Sequence, residues 1–81
     1  MQSTESEHSN ELNAALLTAH DRGDRLALVR LYHQAGTQNE AAGDIDAACF
    51  YYTHAYVFAL EAGLPIAIDI KKTLVRFGRE E

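Results

Sequence analysis

The sequence predicts an all-α domain of four antiparallel helices. Three observations carry this reading. Apolar residues recur at a 3.6-residue period over four successive stretches. Each stretch closes on a glycine, at Gly23, Gly43, Gly63 and Gly78, where a left-handed helix cap belongs. Alanine is abundant and Pro65 is the one proline, which favours helix throughout. The connections are so short that neighbouring helices are expected to run antiparallel.

The first helix is expected from Ser9 to about Arg22. Leu12, Ala15, Leu16 and Ala19 share one face, Ser9 suits the N-cap, and Glu11 suits the positive end of the helix dipole. The second runs from Asp24, a good N-cap, to about Ala42, with Leu28, Leu31, Tyr32, Ala35 and Ala42 facing inward. Gly36 falls in its middle. A glycine there costs about 1 kcal/mol against alanine, so close approach of a neighbouring helix is expected at that point. The third helix runs from Asp44 to Ala62, with Ile45, Ala48, Tyr52, Ala55 and Ala59 on a narrow, small-residue face. The fourth spans about 65–77, with Pro65 as its first residue and Ile66, Ile70, Thr73, Leu74 and Phe77 on one face. Residues 1–8 are polar and acidic and read as a flexible tail, part of which can join the first helix as an extra turn. Residues 9–78 form one domain, and 79–81 fray.

Bulk properties narrow the function. The chain of 81 residues is 47% hydrophobic and 23% charged, ordinary for a globular fold. Chains of this size bury only roughly 60–65% of their unfolded surface. Cys49 is the single cysteine, so no intrachain disulfide can help. Good helix packing or oligomerisation is left as the stabilising device. A net charge of −5 argues against general nucleic-acid binding, which needs a positive field. The first residues lack the basic start and apolar core of a signal peptide. No apolar run nears the roughly 18 residues of a membrane span. A cytoplasmic protein with no membrane or nucleic-acid partner is expected.

Two Gly-Asp turns, Gly23-Asp24 and Gly43-Asp44, punctuate the chain. Around the second, Tyr32, Ala35, Gly36, Gly43, Asp44, Ala48, Tyr52 and Ala55 stand at spacings that resemble a tetratricopeptide repeat, a helix–turn–helix unit of roughly 34 residues. The resemblance covers residues 32–60. It departs at Asn39, where the family usually has tyrosine, and at Leu60, where proline is common. The resemblance implies a helical hairpin with flanking capping helices and a protein-binding role. It also implies a shallow peptide groove lined by outward residues of the second and fourth helices, here Arg30, His33, Thr37 and Lys71.

The third helix carries more apolar surface than one buried face needs. Tyr51 and Phe58 lie seven apart on one flank, and Phe50 and Val57 lie seven apart on the other. His54 and Glu61 form a polar strip between them. A helix that is apolar nearly all round should be buried nearly all round. Either this helix is the centre of the domain, or Phe50, Tyr51, His54, Val57 and Phe58 contribute to a face that another chain covers. Aromatic anchors are favoured at such faces, and a homodimer is the simplest use of one.

Candidate chemistry is sparse. His8, His20, His33 and His54 have no metal-ligand spacing, and no metal or other cofactor is expected. Cys49 falls on a buried face with nothing basic nearby in sequence, unlike a reactive thiol. The carboxylates sit at helix starts and turns, without the pocket that general acid–base work needs. No catalytic residue is assigned and no enzyme activity is expected. Lys72, Arg76 and Arg79 form a basic stripe that complements the C-terminal dipole of the last helix. The leading expectation is a small protein-interaction module, self-associating through the aromatic helix. The alternative is a small-ligand or enzymatic protein with a pocket near Tyr51, His33 and His54.

Overall fold

Helix boundaries follow from the caps. The computed structural model describes residues 4–79, with side chains from Glu11 onward. It holds α1 (Thr4–Arg22), α2 (Arg25–Ala41), α3 (Ile45–Glu61) and α4 (Ile66–Arg76), with no strand among the described residues. Asp24 caps α2 by accepting from the Ala27 N–H at 3.1 Å, and Asp44 caps α3 by accepting from the Ala47 N–H at 3.1 Å. Gly43 takes φ +84°, which only glycine adopts freely. The Asp44 N–H can therefore turn back to the Asn39 carbonyl at 2.9 Å and close α2. The Asp24 N–H closes α1 on Ala19 in the same way, at 3.0 Å. Each Gly-Asp pair thus ends one helix and starts the next.

Two boundaries differ from expectation. Helix α1 opens at Thr4, so residues 4–8 of the expected tail are helical and Ser9 lies inside the helix rather than at its cap. The stretch contains neither glycine nor proline to stop a helix, and its acidic residues favour a helix N-terminus. Residues 1–3 lie outside the described residues. At the other end Pro65 occupies the N-cap position of α4, one residue earlier than expected, and offers no side-chain cap. Arg79, expected to fray, donates its N–H to the Leu74 carbonyl at 2.9 Å. Residues 80 and 81 lie outside the described residues.

The helix backbones touch in chain order: α1 with α2, α2 with α3 most extensively, and α3 with α4. The result is flat, with principal extents of 42 × 31 × 13 Å. The main core joins Val29 of α2, Ala48, Cys49, Tyr52, Ala55 and Ala59 of α3, and Ala67, Ile70 and Leu74 of α4. A second cluster joins Leu16 and Ala19 of α1 to Leu28 of α2. Tyr32 and Phe58 pack against both clusters and so connect them.

Small residues dominate where α2 meets α3. Ala35, Gly36, Ala48, Ala55 and Ala59 are all buried. The reason for Gly36 is explicit: a Cβ built there would stand 2.5 Å from both Cδ1 and Cε1 of Tyr52. Neither atom has room to yield, because Tyr52 is itself buried. Gly36→Ala should therefore lower stability by about 1–3 kcal/mol, the usual range for overpacking, although alanine is the better helix former. In a Tyr52→Ala background the same change should be neutral or stabilising. Thermal unfolding of the four proteins of this cycle tests both statements, and additive effects would remove the contact from the account.

Candidate interaction surface

Helix α3 sorts its side chains around its circumference. Ala48, Tyr52, Ala55 and Ala59 point into the core, and Ile45, Cys49 and Tyr56 join the same cluster as Ile70 and Leu74 of α4. On the opposite flank Phe58 stacks on Tyr32, with ring centroids 5.8 Å apart and planes 11° apart. Tyr51 lies 6.3 Å from the Tyr32 ring, and His54 stacks on it at 5.0 Å. His20 of α1 closes the group, edge-on to both Tyr32 and Phe58, with its Nε2 sharing a 2.8 Å hydrogen bond with the Tyr32 hydroxyl. Tyr51, His54 and Phe58 are half-buried as a result.

Phe50 and Val57 take the other course. They are 57% and 44% exposed, and Leu60, beside them on the helix, is 55% exposed. The Phe50 ring leans on His54, with centroids 4.6 Å apart. His54 Nδ1 lies 2.9 Å from the Phe50 carbonyl. That carbonyl only accepts, so the proton of this bond sits on Nδ1. The five residues expected as an interface thus divide. Phe50 and Val57 face solvent, while Tyr51, His54 and Phe58 pack around Tyr32 of α2.

Sequence reasoning left Leu60 and Thr53 out of this face. Both are exposed, and their spacing from Phe50 and Val57 was the available signal. Tyr32 was read as core alone, and its aromatic neighbours lie too far along the chain for periodicity to reveal. The ends of the face carry ion pairs. Arg25 Nε lies 3.4 Å from Glu61 Oε1, and Arg79 pairs with Asp46.

No known protein-family model, curated protein or solved structure matches this chain. The geometry alone bears on the remaining candidates. Arg30 and Thr37 are exposed on α2, while His33 is half-buried against the Tyr52 ring at 5.5 Å. Lys71 is exposed on α4, but the side-chain link from α4 to α2 runs through Arg76 and Glu40, 3.4 Å apart. His33 packs on Tyr52 and His54 packs on Tyr32 and Phe50, so the two imidazoles stand against different rings. A shallow hollow beside Arg30 is lined by Ala14, Thr18 and Arg22 of α1, and neither His33 nor His54 contributes to it. Cys49 is buried in the main core. Of the basic stripe, Arg76 lies over the Phe77 ring, 4.8 Å from its centroid. Among the described residues no group of three or more His, Cys, Asp and Glu side chains is placed to hold a metal. No helix among them is long and apolar enough to cross a membrane.

One polar chain links α3, α2 and α4. The Tyr52 hydroxyl donates to Glu40 Oε1 at 2.8 Å, and Glu40 in turn meets Arg76. Burial raises the Tyr52 phenol above its ordinary 10.0, and the Glu40 carboxylate adds to the rise while the Thr37 hydroxyl opposes it. Burial and then neighbouring Tyr51 raise Tyr32 as well. The folded chain therefore holds these protons to higher pH than the unfolded chain does. That stability is fully present below about 10 and is lost as pH rises through the folded values. Tyr52→Phe should cost about 1 kcal/mol at neutral pH through the lost hydrogen bond and should flatten the alkaline limb. Denaturant melts from pH 7 to 11 test this, and an unchanged alkaline slope would discard it.

Proposed function

We propose that this chain is a small tetratricopeptide-like protein-interaction module that associates with itself through the outward face of α3. The observation that carries the reading is the exposure of Phe50, Val57 and Leu60 on one side of one helix. Burying a large apolar side chain yields about 1.5–3 kcal/mol, so leaving three together in water forgoes a substantial gain. The aromatic cluster of Tyr32, Tyr51, His54 and Phe58 borders that face on one side, and Phe50 leans on it through His54 and Tyr51. Support for the repeat-like hairpin comes from Gly36 beneath Tyr52 and from the buried Ala48 and Ala55. The same residues carry the resemblance in the sequence.

Contacts along the helices favour the antiparallel arrangement that this reading needs. Arg25 at the start of α2 meets Glu61 at the end of α3, and Arg79 after α4 meets Asp46 at the start of α3. In such an arrangement α3 is flanked by α2 and α4, and its outer face is free for a second chain.

Sedimentation over a concentration series is the test. The wild-type chain should show a mass above its monomer value of 9.0 kDa. Phe50→Glu and Val57→Glu should each give a folded monomer, with helical circular dichroism and melting temperature little changed. Phe58→Glu should instead unfold or strongly destabilise the chain, since Phe58 packs against both core clusters. A wild-type chain that remains monomeric at every concentration would reject self-association.

A further inference from the structure

The outward stripe of α3 has a spacing of its own. Phe50, Thr53, Val57 and Leu60 follow one another at 3, 4 and 3 residues, and all four are exposed. This alternation is that of the a and d positions along the seam of paired helices. An ion pair borders the stripe at each end: Arg79 with Asp46 at the start of α3, and Arg25 with Glu61 at its end. Both pairs are solvent-exposed, with Asp46 at 88% and Arg25 at 60% of their side-chain surface, so each contributes little in the isolated chain.

We infer that α3 pairs with α3 of a second copy, antiparallel about a twofold axis, setting Phe50 against Leu60 and Thr53 against Val57. This rests on the self-association reading and specifies its geometry. Antiparallel helix pairs set a positions against d positions. Phe50 and Leu60 lie five residues either side of Ala55, and Thr53 and Val57 lie two either side, so a single register satisfies both contacts. The contact is isologous and closes on itself, which is the commonest form of assembly.

Charge selects this orientation over the parallel one. A parallel pair brings Asp46 towards Asp46 and Glu61 towards Glu61. The antiparallel pair brings the Arg79–Asp46 end of one copy beside the Arg25–Glu61 end of the other. Each carboxylate then gains a second guanidinium, Asp46 from Arg25 of the second copy and Glu61 from Arg79 of the second copy. A shallow hollow lined by Asp46, Phe50, Thr53 and Arg79 opens at that position, in line to receive the second copy's Glu61.

Cysteine cross-linking reads the register directly. Thr53→Cys and Val57→Cys chains, distinguished by a size tag, are mixed and mildly oxidised, both with Cys49→Ala and with the buried Cys49 retained. The expected main product is the Thr53→Cys to Val57→Cys heterodimer, in large excess over either variant linked to its own copy. The reverse pattern means a parallel pair and overturns the register. A sedimenting dimer with no link at these positions overturns the choice of face. A monomer throughout overturns the self-association reading itself. Charge reversal gives an independent arm: Glu61→Arg and Arg79→Glu should each weaken the dimer about tenfold, and the double variant should recover it. Within one chain Glu61 pairs with Arg25, not Arg79, so recovery arises only between copies, and its absence overturns the swapped ion pairs.

Discussion

The contact of Gly36 with the ring of Tyr52 is the constraint from which the other features follow. It requires α2 and α3 to meet through small side chains, and Ala35, Ala48, Ala55 and Ala59 supply them. A ring seated against backbone cannot leave its hydroxyl unpaired at low cost. The Tyr52 hydroxyl therefore reaches Glu40, and Glu40 draws in Arg76 just as α4 ends. One steric requirement where α2 meets α3 thus goes with a polar link across three helices. It also leaves few large side chains in the deepest core, where Ile70 and Leu74 are the largest fully enclosed.

That economy has a consequence for the rest of α3. A helix whose core stripe is occupied by alanine must place its bulky apolar residues on the flanks. Tyr56 finds cover in the main cluster, and Tyr51 and Phe58 find it against Tyr32 and His20. Phe50, Val57 and Leu60 lie on the side of α3 that neither α2 nor α4 covers. Four helices stacked in chain order give a flat body, and a flat body of this size cannot wrap its middle helix on every side. The exposed face follows from the topology rather than from loose packing of any one residue.

The turns were the most legible part of the fold. Gly23-Asp24 and Gly43-Asp44 each encode a stop and a start in adjacent residues, and helix bounds fell within one or two positions of expectation at both. The beginning of α1 was not legible, because Thr4 to Ser9 carries neither a breaker nor an apolar period to mark where helix gives way to tail. Periodicity also placed Phe50 with Val57, and Tyr51 with Phe58, on opposite flanks of α3. It could not say which flank would be covered. That depended on Tyr32, on His20 in another helix, and on ion pairs such as Arg25–Glu61 that join distant parts of the chain. Angles around a helix are local information, whereas the identity of the neighbour at each angle is not.

Exposed apolar residues occur elsewhere, and their arrangement explains why α3 is singled out. Among the described residues Leu17 is the one exposed large apolar residue of α1 and Leu26 that of α2, and Ile68 and Val75 on α4 are separated by Lys71 and Lys72. Isolated apolar side chains are normal on any protein surface. On α3 Phe50, Val57 and Leu60, with the short side chain of Thr53 among them, recur at the interval at which another helix could engage them in succession, beside an aromatic cluster and between two charged ends. Contiguity converts exposure into a surface of defined shape, because a partner helix can displace water from all the residues at once while its own charges find counter-ions at the rim. A scattered set of equal area would force a partner to desolvate polar groups between the contacts, and that cost removes most of the gain.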